Sequence, residues 1–131
     1  MPTRVETSTP PGTMSPVGPY SHIARVGQHI TIGAVAGVDP QTGELAGPGI
    51  AAQTRQILDA FETMLTSVGS DLDHITHITV FLADIDDFAA MNEAYATRMG
   101  TRRPARTAIA VAGLPKKGAR LTMNLTAVTC R

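Results

Sequence analysis

The sequence predicts an α+β sandwich, with two helices packed on one face of a single β-sheet. Three observations carry this expectation. Ile50, Thr54, Ile57, Leu58, Phe61, Leu65 and Val68 recur three or four residues apart, the period of a helix with one buried face. In "RLTMNLTAV", Leu121, Met123 and Leu125 alternate with Thr122, Asn124 and Thr126, the period of a strand that is apolar on one side only. The segments also follow one another as roughly ββ-α-β-α-ββ within 131 residues, a length that suits one domain over 1–131.

Residues 2 to 16 hold four of the nine prolines and read as an extended arm over about 1–14, with Arg4 to Thr7 able to add a short edge strand. "HITIGAVAGV" reads as a strand, and "DPQTGE" after it as a turn suited to a hairpin. The first helix follows, with Gly69 where a C-terminal cap belongs. "HITHITVFLAD" is rich in branched and aromatic residues and reads as a strand. Asp86 then stands as the N-cap of a second helix whose Phe88, Met91, Tyr95 and Met99 lie along one side. "ARTAIAV" and "RLTMNLTAV" close the chain as two strands.

With both helices on one sheet face, the other face is expected to carry Ala108, Ala110, Thr122 and Thr126. Small and polar side chains of this kind are best covered by another copy of the chain. A homo-oligomer with sites between subunits is therefore expected.

Composition narrows the function. Eleven basic and eleven acidic residues cancel, which removes the usual footprint of a nucleic-acid binder. No apolar run approaches the ~20 residues of a membrane span, and the N-terminal stretch lacks a secretory apolar core. The single cysteine, Cys130, has no internal disulfide partner and, so near the chain end, offers no metal site. A reduced, cytoplasmic setting fits this pattern.

Several residues invite chemistry, and most have a plain structural role. His74 and His77 would point to opposite faces of a strand and not converge on an ion. The run Asp84 to Asp87 lies where a strand hands over to a helix, so capping is expected there rather than magnesium. "GPG" at Gly47 to Gly49 lacks the lysine and the strand of a phosphate loop. Ser21 and His22 are adjacent rather than set in depth as a nucleophile and its base. Arg98, Arg102 and Arg103 read as solvated charges at a helix C-terminus. Arg106 differs, because its strand position places it on the face of Ala108 and Ala110. A guanidinium there needs an anion, either a ligand carboxylate or the acid of a neighbouring subunit.

"SPVGPYSHIARVG", "DPQTGEL", the helix containing Gln53, "VFLADIDDFAAMNEAY" and "RPARTAIAV" followed by "GLPKKGA" together resemble the YjgF/RidA-type enamine/imine deaminase family, in the same order and over about Ser15 to Val128. The resemblance implies a chorismate-mutase-like sandwich with one mixed sheet, assembled as a homotrimer with three ligand clefts between subunits. It implies hydrolysis of reactive, carboxylate-bearing enamines and imines, such as 2-aminoacrylate, to keto acids and ammonia, with no metal or organic cofactor. By the same resemblance Arg106 is the carboxylate anchor, Tyr20 and Asn92 line the cleft, Gly33 belongs to it, and Ala108 contributes its backbone carbonyl.

The chain also departs from the family pattern. The acidic residue that helps hold the attacking water falls on Thr122, and no Asp or Glu follows Glu93. The usual "SGQ" reads Gly33, Ala34, Val35. A hydroxyl can orient a water but cannot take its proton near neutral pH. Two functions therefore stand: a deaminase in which Arg106 and Thr122 carry the reaction, or a non-hydrolytic relative that binds a carboxylate metabolite or serves a specialised biosynthetic step. Ribonuclease activity is disfavoured by zero net charge and an aromatic content of 4%.

Overall fold

The computed structural model describes residues 4–130. Its strands are β1 (Glu6–Ser8), β2 (Ile23–Val26), β3 (His29–Ala36), β4 (Ile75–Leu82), β5 (Ala105–Ala110) and β6 (Leu121–Val128). Its helices are α1 (Ile50–Ser67) and α2 (Phe88–Met99). The strands form one sheet in the order β1-β2-β3-β6-β4-β5, antiparallel throughout except for the parallel pair β4–β5 that α2 connects. The mixed sheet with two helices is therefore the architecture found. Residues 1–3 of the expected arm lie outside the described residues, and the edge strand is at Glu6–Ser8. Strand β2 is an addition. It pairs with β3 through a tight turn in which Gly27 takes φ +59° and Val26 faces His29.

Helix α1 buries the face its spacing predicts, with Ile57, Leu58, Phe61 and Leu65 fully inside. Each such apolar side chain contributes about 1.5–3 kcal/mol by leaving water. The helix closes as a Schellman motif: Gly69 takes φ +77°, its N–H bonds Thr66 O, and the Ser70 N–H bonds Leu65 O. Helix α2 buries Met91, Tyr95 and Met99, while Phe88 is half-exposed. Its start differs from the expected one. Asp84, not Asp86, is the cap, accepting the Asp86 N–H at 2.9 Å to open a single 3-10 turn that leads into α2 at Phe88.

The faces of β5 are a second correction. Residues paired directly in neighbouring strands share a face. Arg106 pairs with Ile78 and Ala108 with Val80, both core residues, so Arg106 and Ala108 look toward the helices. Thr107 and Ile109 pair with Thr79 and Phe81, which in turn face Asn124 and Thr122 of β6. The open face thus carries Thr79, Phe81, Thr107, Ile109, Asn124 and Thr126, not Ala108 and Ala110. Alternation sorts a strand into two rows, and only the register with β4 decides which row turns inward.

Candidate active site

The expected site residues fall into two groups on different parts of the chain. The first surrounds a cavity of about 420 Å³ against the start of β6, lined by Tyr20, Gly33, Thr122, Met14, Val17 and Lys116 among others. Tyr20 is placed by the "GPYS" turn: its N–H bonds Gly18 O at 2.9 Å, and its hydroxyl accepts the Val17 N–H at 3.2 Å. Below it lies His22, 1% exposed, with its Nε2 2.6 Å from Met14 O and its ring edge-on to Tyr20 at 5.9 Å. His22 thereby folds the proline-rich arm into the wall of the cavity. Thr122 is buried between Ala36 and Phe81 of the neighbouring strands. The lining includes no carboxylate, in keeping with the absence of Asp and Glu after Glu93.

The second group lies at the β5 edge of the sheet. Asn92, Tyr95, Ala96, Arg103, Pro104 and Arg106 line a pocket of about 440 Å³. The Arg106 guanidinium carbon sits 4.8 Å from the Tyr95 ring centre and 5.8 Å from that of Phe88. Such stacking holds a planar cation in place, and apart from a long contact of Nη1 with Met91 Sδ at 4.0 Å its N–H groups are left to bind an anion. Among the described residues no carboxylate pairs with Arg106. Burial, opposed by the charges of Arg106 and Arg103, raises the Tyr95 phenol above its ordinary value. Ala108 lies two residues further along β5, half-buried against the core.

The other arginines are engaged. Arg98 bonds Asp59 at 2.7 Å and Glu62 at 2.8 Å, Arg102 bonds Asp73 at 2.7 Å, and Arg103 bonds the carbonyls of Gly100 and Arg102. Arg120 takes both Asp87 oxygens at 2.8 Å, tying the start of β6 to the start of α2. Behind the first cavity, fully buried Gln53 donates to Gly47 O at 2.8 Å and Gly118 O at 3.3 Å, and accepts the Arg120 N–H at 2.8 Å. These bonds hold the loop that carries Pro115 and Lys116 to the cavity.

His74 and His77 part company: His74 bonds Asp71 at 2.6 Å and His77 bonds Thr107 at 3.1 Å. Cys130, the single cysteine, lies with its Sγ 3.4 Å from Asp71 Oδ2 and 3.7 Å from His74 Nδ1.

Sequence reasoning missed the stacking role of Phe88 and Tyr95, and the contributions of Met14, Val17, His22 and Lys116. The seven-residue spacing of Phe88 and Tyr95 was visible, but which strand residue it would meet depends on the β4–β5 register.

The family described as Endoribonuclease L-PSP, to which the YjgF/RidA proteins belong, matches residues 12–129. The chain belongs to this family. Among its YjgF/RidA relatives, human 2-iminobutanoate/2-iminopropanoate deaminase is 36% identical over 124 residues, or 95% of this chain and 88% of that one. A RutC family protein of Pyrococcus horikoshii is 42% identical over 101 residues, 77% of this chain and 80% of that one. RidA from the Antarctic bacterium Psychrobacter superposes with a TM-score of 0.88 at 31% identity, covering 94% and 98% of the two chains. Imine deaminase activity is thus supported at the level of the YjgF/RidA family.

Proposed function

We propose that the chain hydrolyses a small, carboxylate-bearing enamine or imine to a keto acid and ammonia, in a cleft completed by a second copy. The observation that carries this reading is the separation of the two half-sites. One chain holds a stacked cation without a carboxylate partner in one pocket, and a cavity with a tyrosine and a threonine hydroxyl in another. Arg106 and Ala108 face the helices while Thr122 faces away from them, so one copy cannot close both groups on one small molecule. In a homotrimer, setting the β5 edge of one copy against the open sheet face of the next would bring the Arg106 pocket of the first to the Thr122 cavity of the second.

In this arrangement Arg106 clamps the substrate carboxylate, and Asn92 and Tyr20 bound the cleft on either side. The β3 backbone at Gly33 and the β5 carbonyl at Ala108 orient the nitrogen. Water held by the Thr122 hydroxyl adds to the C=N carbon. An enamine first takes a proton at carbon to become this imine; one water proton then passes to nitrogen, the C–N bond breaks to release ammonia, and the remaining hydroxyl proton leaves to solvent as the carbonyl forms. No metal is needed, because the protonated imine is already the electrophile. Thr122 positions the water without taking its proton, and losing a placed acid–base group costs about 10²–10⁴ in rate. A substrate that protonates readily suits such a site. The lone, exposed thiol is consistent with reaction in a reducing cytoplasm.

The second reading, a carboxylate-binding relative without hydrolysis, is favoured by the absence of any acid in the cavity lining. The family description names an endoribonuclease, but a net charge of zero and the pairing of Arg98, Arg102 and Arg120 with carboxylates disfavour RNA.

The test generates 2-aminoacrylate from serine with a dehydratase and follows its decay. Wild type should speed the decay, and Arg106→Ala should lower the effect about ten- to hundredfold, the worth of charge-assisted hydrogen bonds. An inert wild type beside an active Thr122→Glu would sink hydrolysis and support the binding reading. Light scattering should give three chains per particle; a monomer would remove the cleft.

A further inference from the structure

A second cluster of chemically capable side chains lies at the opposite end of β6 from Thr122, roughly eight residues or ~26 Å along the strand direction. Asp71 and His74 belong to the 3-10 turn before β4, where Asp71 accepts the Asp73 N–H at 3.0 Å. Cys130 arrives from the far end of β6. Its backbone is fixed there, with its own N–H on Gly69 O at 3.0 Å, the Thr129 N–H on Gln28 O at 2.9 Å, and the Ser70 hydroxyl on Val128 O at 2.6 Å. One thiol, one imidazole and one carboxylate thus meet with their ligand atoms all within 4.8 Å.

We propose that Asp71, His74 and Cys130 form a zinc site, distinct from the imine cleft. Tetrahedral zinc with bonds of about 2.3 Å to sulfur and 2.0–2.2 Å to nitrogen and oxygen sets its ligand atoms roughly 3.4–3.6 Å apart. The Sγ–Oδ2 separation is 3.4 Å and the Sγ–Nδ1 separation 3.7 Å, so both sulfur edges already match. The 2.6 Å contact of His74 Nδ1 is to the other carboxylate oxygen, Oδ1, so that hydrogen bond is given up and the ring proton moves to Nε2 as Nδ1 and Oδ2 take the metal. Binding displaces the thiol proton to solvent, and thiolate plus carboxylate then neutralise a dication. Sulfur and nitrogen donors select zinc over magnesium or calcium. Of the neighbouring charges, Asp73 is balanced by Arg102, and Arg25 is held by the carbonyls of Gly27 and Val68. Exposed Cys130 leaves the fourth position to water, the arrangement of an open rather than a closed zinc centre.

Cobalt(II) is the probe. Metal-free, untagged protein should bind one cobalt per chain with a thiolate-to-cobalt charge-transfer band, which one equivalent of zinc abolishes. Cys130→Ser should lose the band, and His74→Ala and Asp71→Asn should each weaken binding at least about tenfold, the lower end of what even outer-shell changes cost. Absence of the band in the wild-type protein would overturn the site. So would a band and affinity unchanged in His74→Ala and Asp71→Asn, since the thiol would then be binding metal alone.

Discussion

Replacing Gln53 with methionine should destabilise the whole chain through a single buried amide. The side chain is fully enclosed and uses both ends: two donations, to Gly47 O and Gly118 O, and one acceptance, from the Arg120 N–H. Methionine conserves the volume and removes all three bonds, so no cavity term enters. At about 0.5–1.5 kcal/mol for each hydrogen bond, the expected loss is about 1.5–4.5 kcal/mol. Urea unfolding at fixed protein concentration reads this as a lower midpoint with an unchanged slope. Gln53→Glu provides the control. It keeps the acceptor for Arg120 but turns a carboxylate oxygen toward two carbonyls, so it should be at least as damaging at neutral pH. A loss under about 0.5 kcal/mol for Gln53→Met, the size of an ordinary surface change, would refute the role assigned to this residue.

Three further outcomes are expected. Gly37→Ala should cost about 1–3 kcal/mol, because a Cβ there would stand 2.6 Å from the Gln53 carbonyl oxygen and force β3 from α1; a thermal midpoint equal to wild type would show that the backbone yields freely. Tyr95 is buried with no hydrogen-bond partner for its hydroxyl among the described residues, and burial raises its pKa above the ordinary 10.0. Its contribution is therefore whole below pH 10 and is lost as pH rises beyond, so Tyr95→Phe should flatten the alkaline fall in stability; identical alkaline profiles would contradict this. Ile109 is 44% exposed on the open sheet face, so Ile109→Asp should leave the chain folded by circular dichroism but reduce its mass in light scattering to that of one copy. An unchanged particle mass would place the subunit contact elsewhere.

Much of the architecture was legible because it is written in local periods. The face of α1, the glycine that ends it, the Asp39–Gly43 turn with the Gly43 N–H on Asp39 O, and the apolar row of β6 all rest on residues a few positions apart. Strand β2 escaped notice because four residues are too few to show alternation, although Gly27 marked the turn beside it. Asp84 was passed over as the cap because a 3-10 turn intervenes before α2, and its side chain reaches only two residues ahead.

The sequence by itself determined which residues alternate, which cluster on a helix face, and that a cation in need of an anion would stand in the strand after "RRP". Tertiary structure alone decided where those rows point. The parallel register of β4 with β5 turns Arg106 toward Tyr95 and away from Thr122, dividing the expected site residues between two pockets. The antiparallel pairing of β4 with β6 likewise brings Cys130 to His74 across 56 residues of chain. Both outcomes depend on pairings between distant strands, whose energetics are shared over the whole sheet and leave no periodic trace in any short stretch.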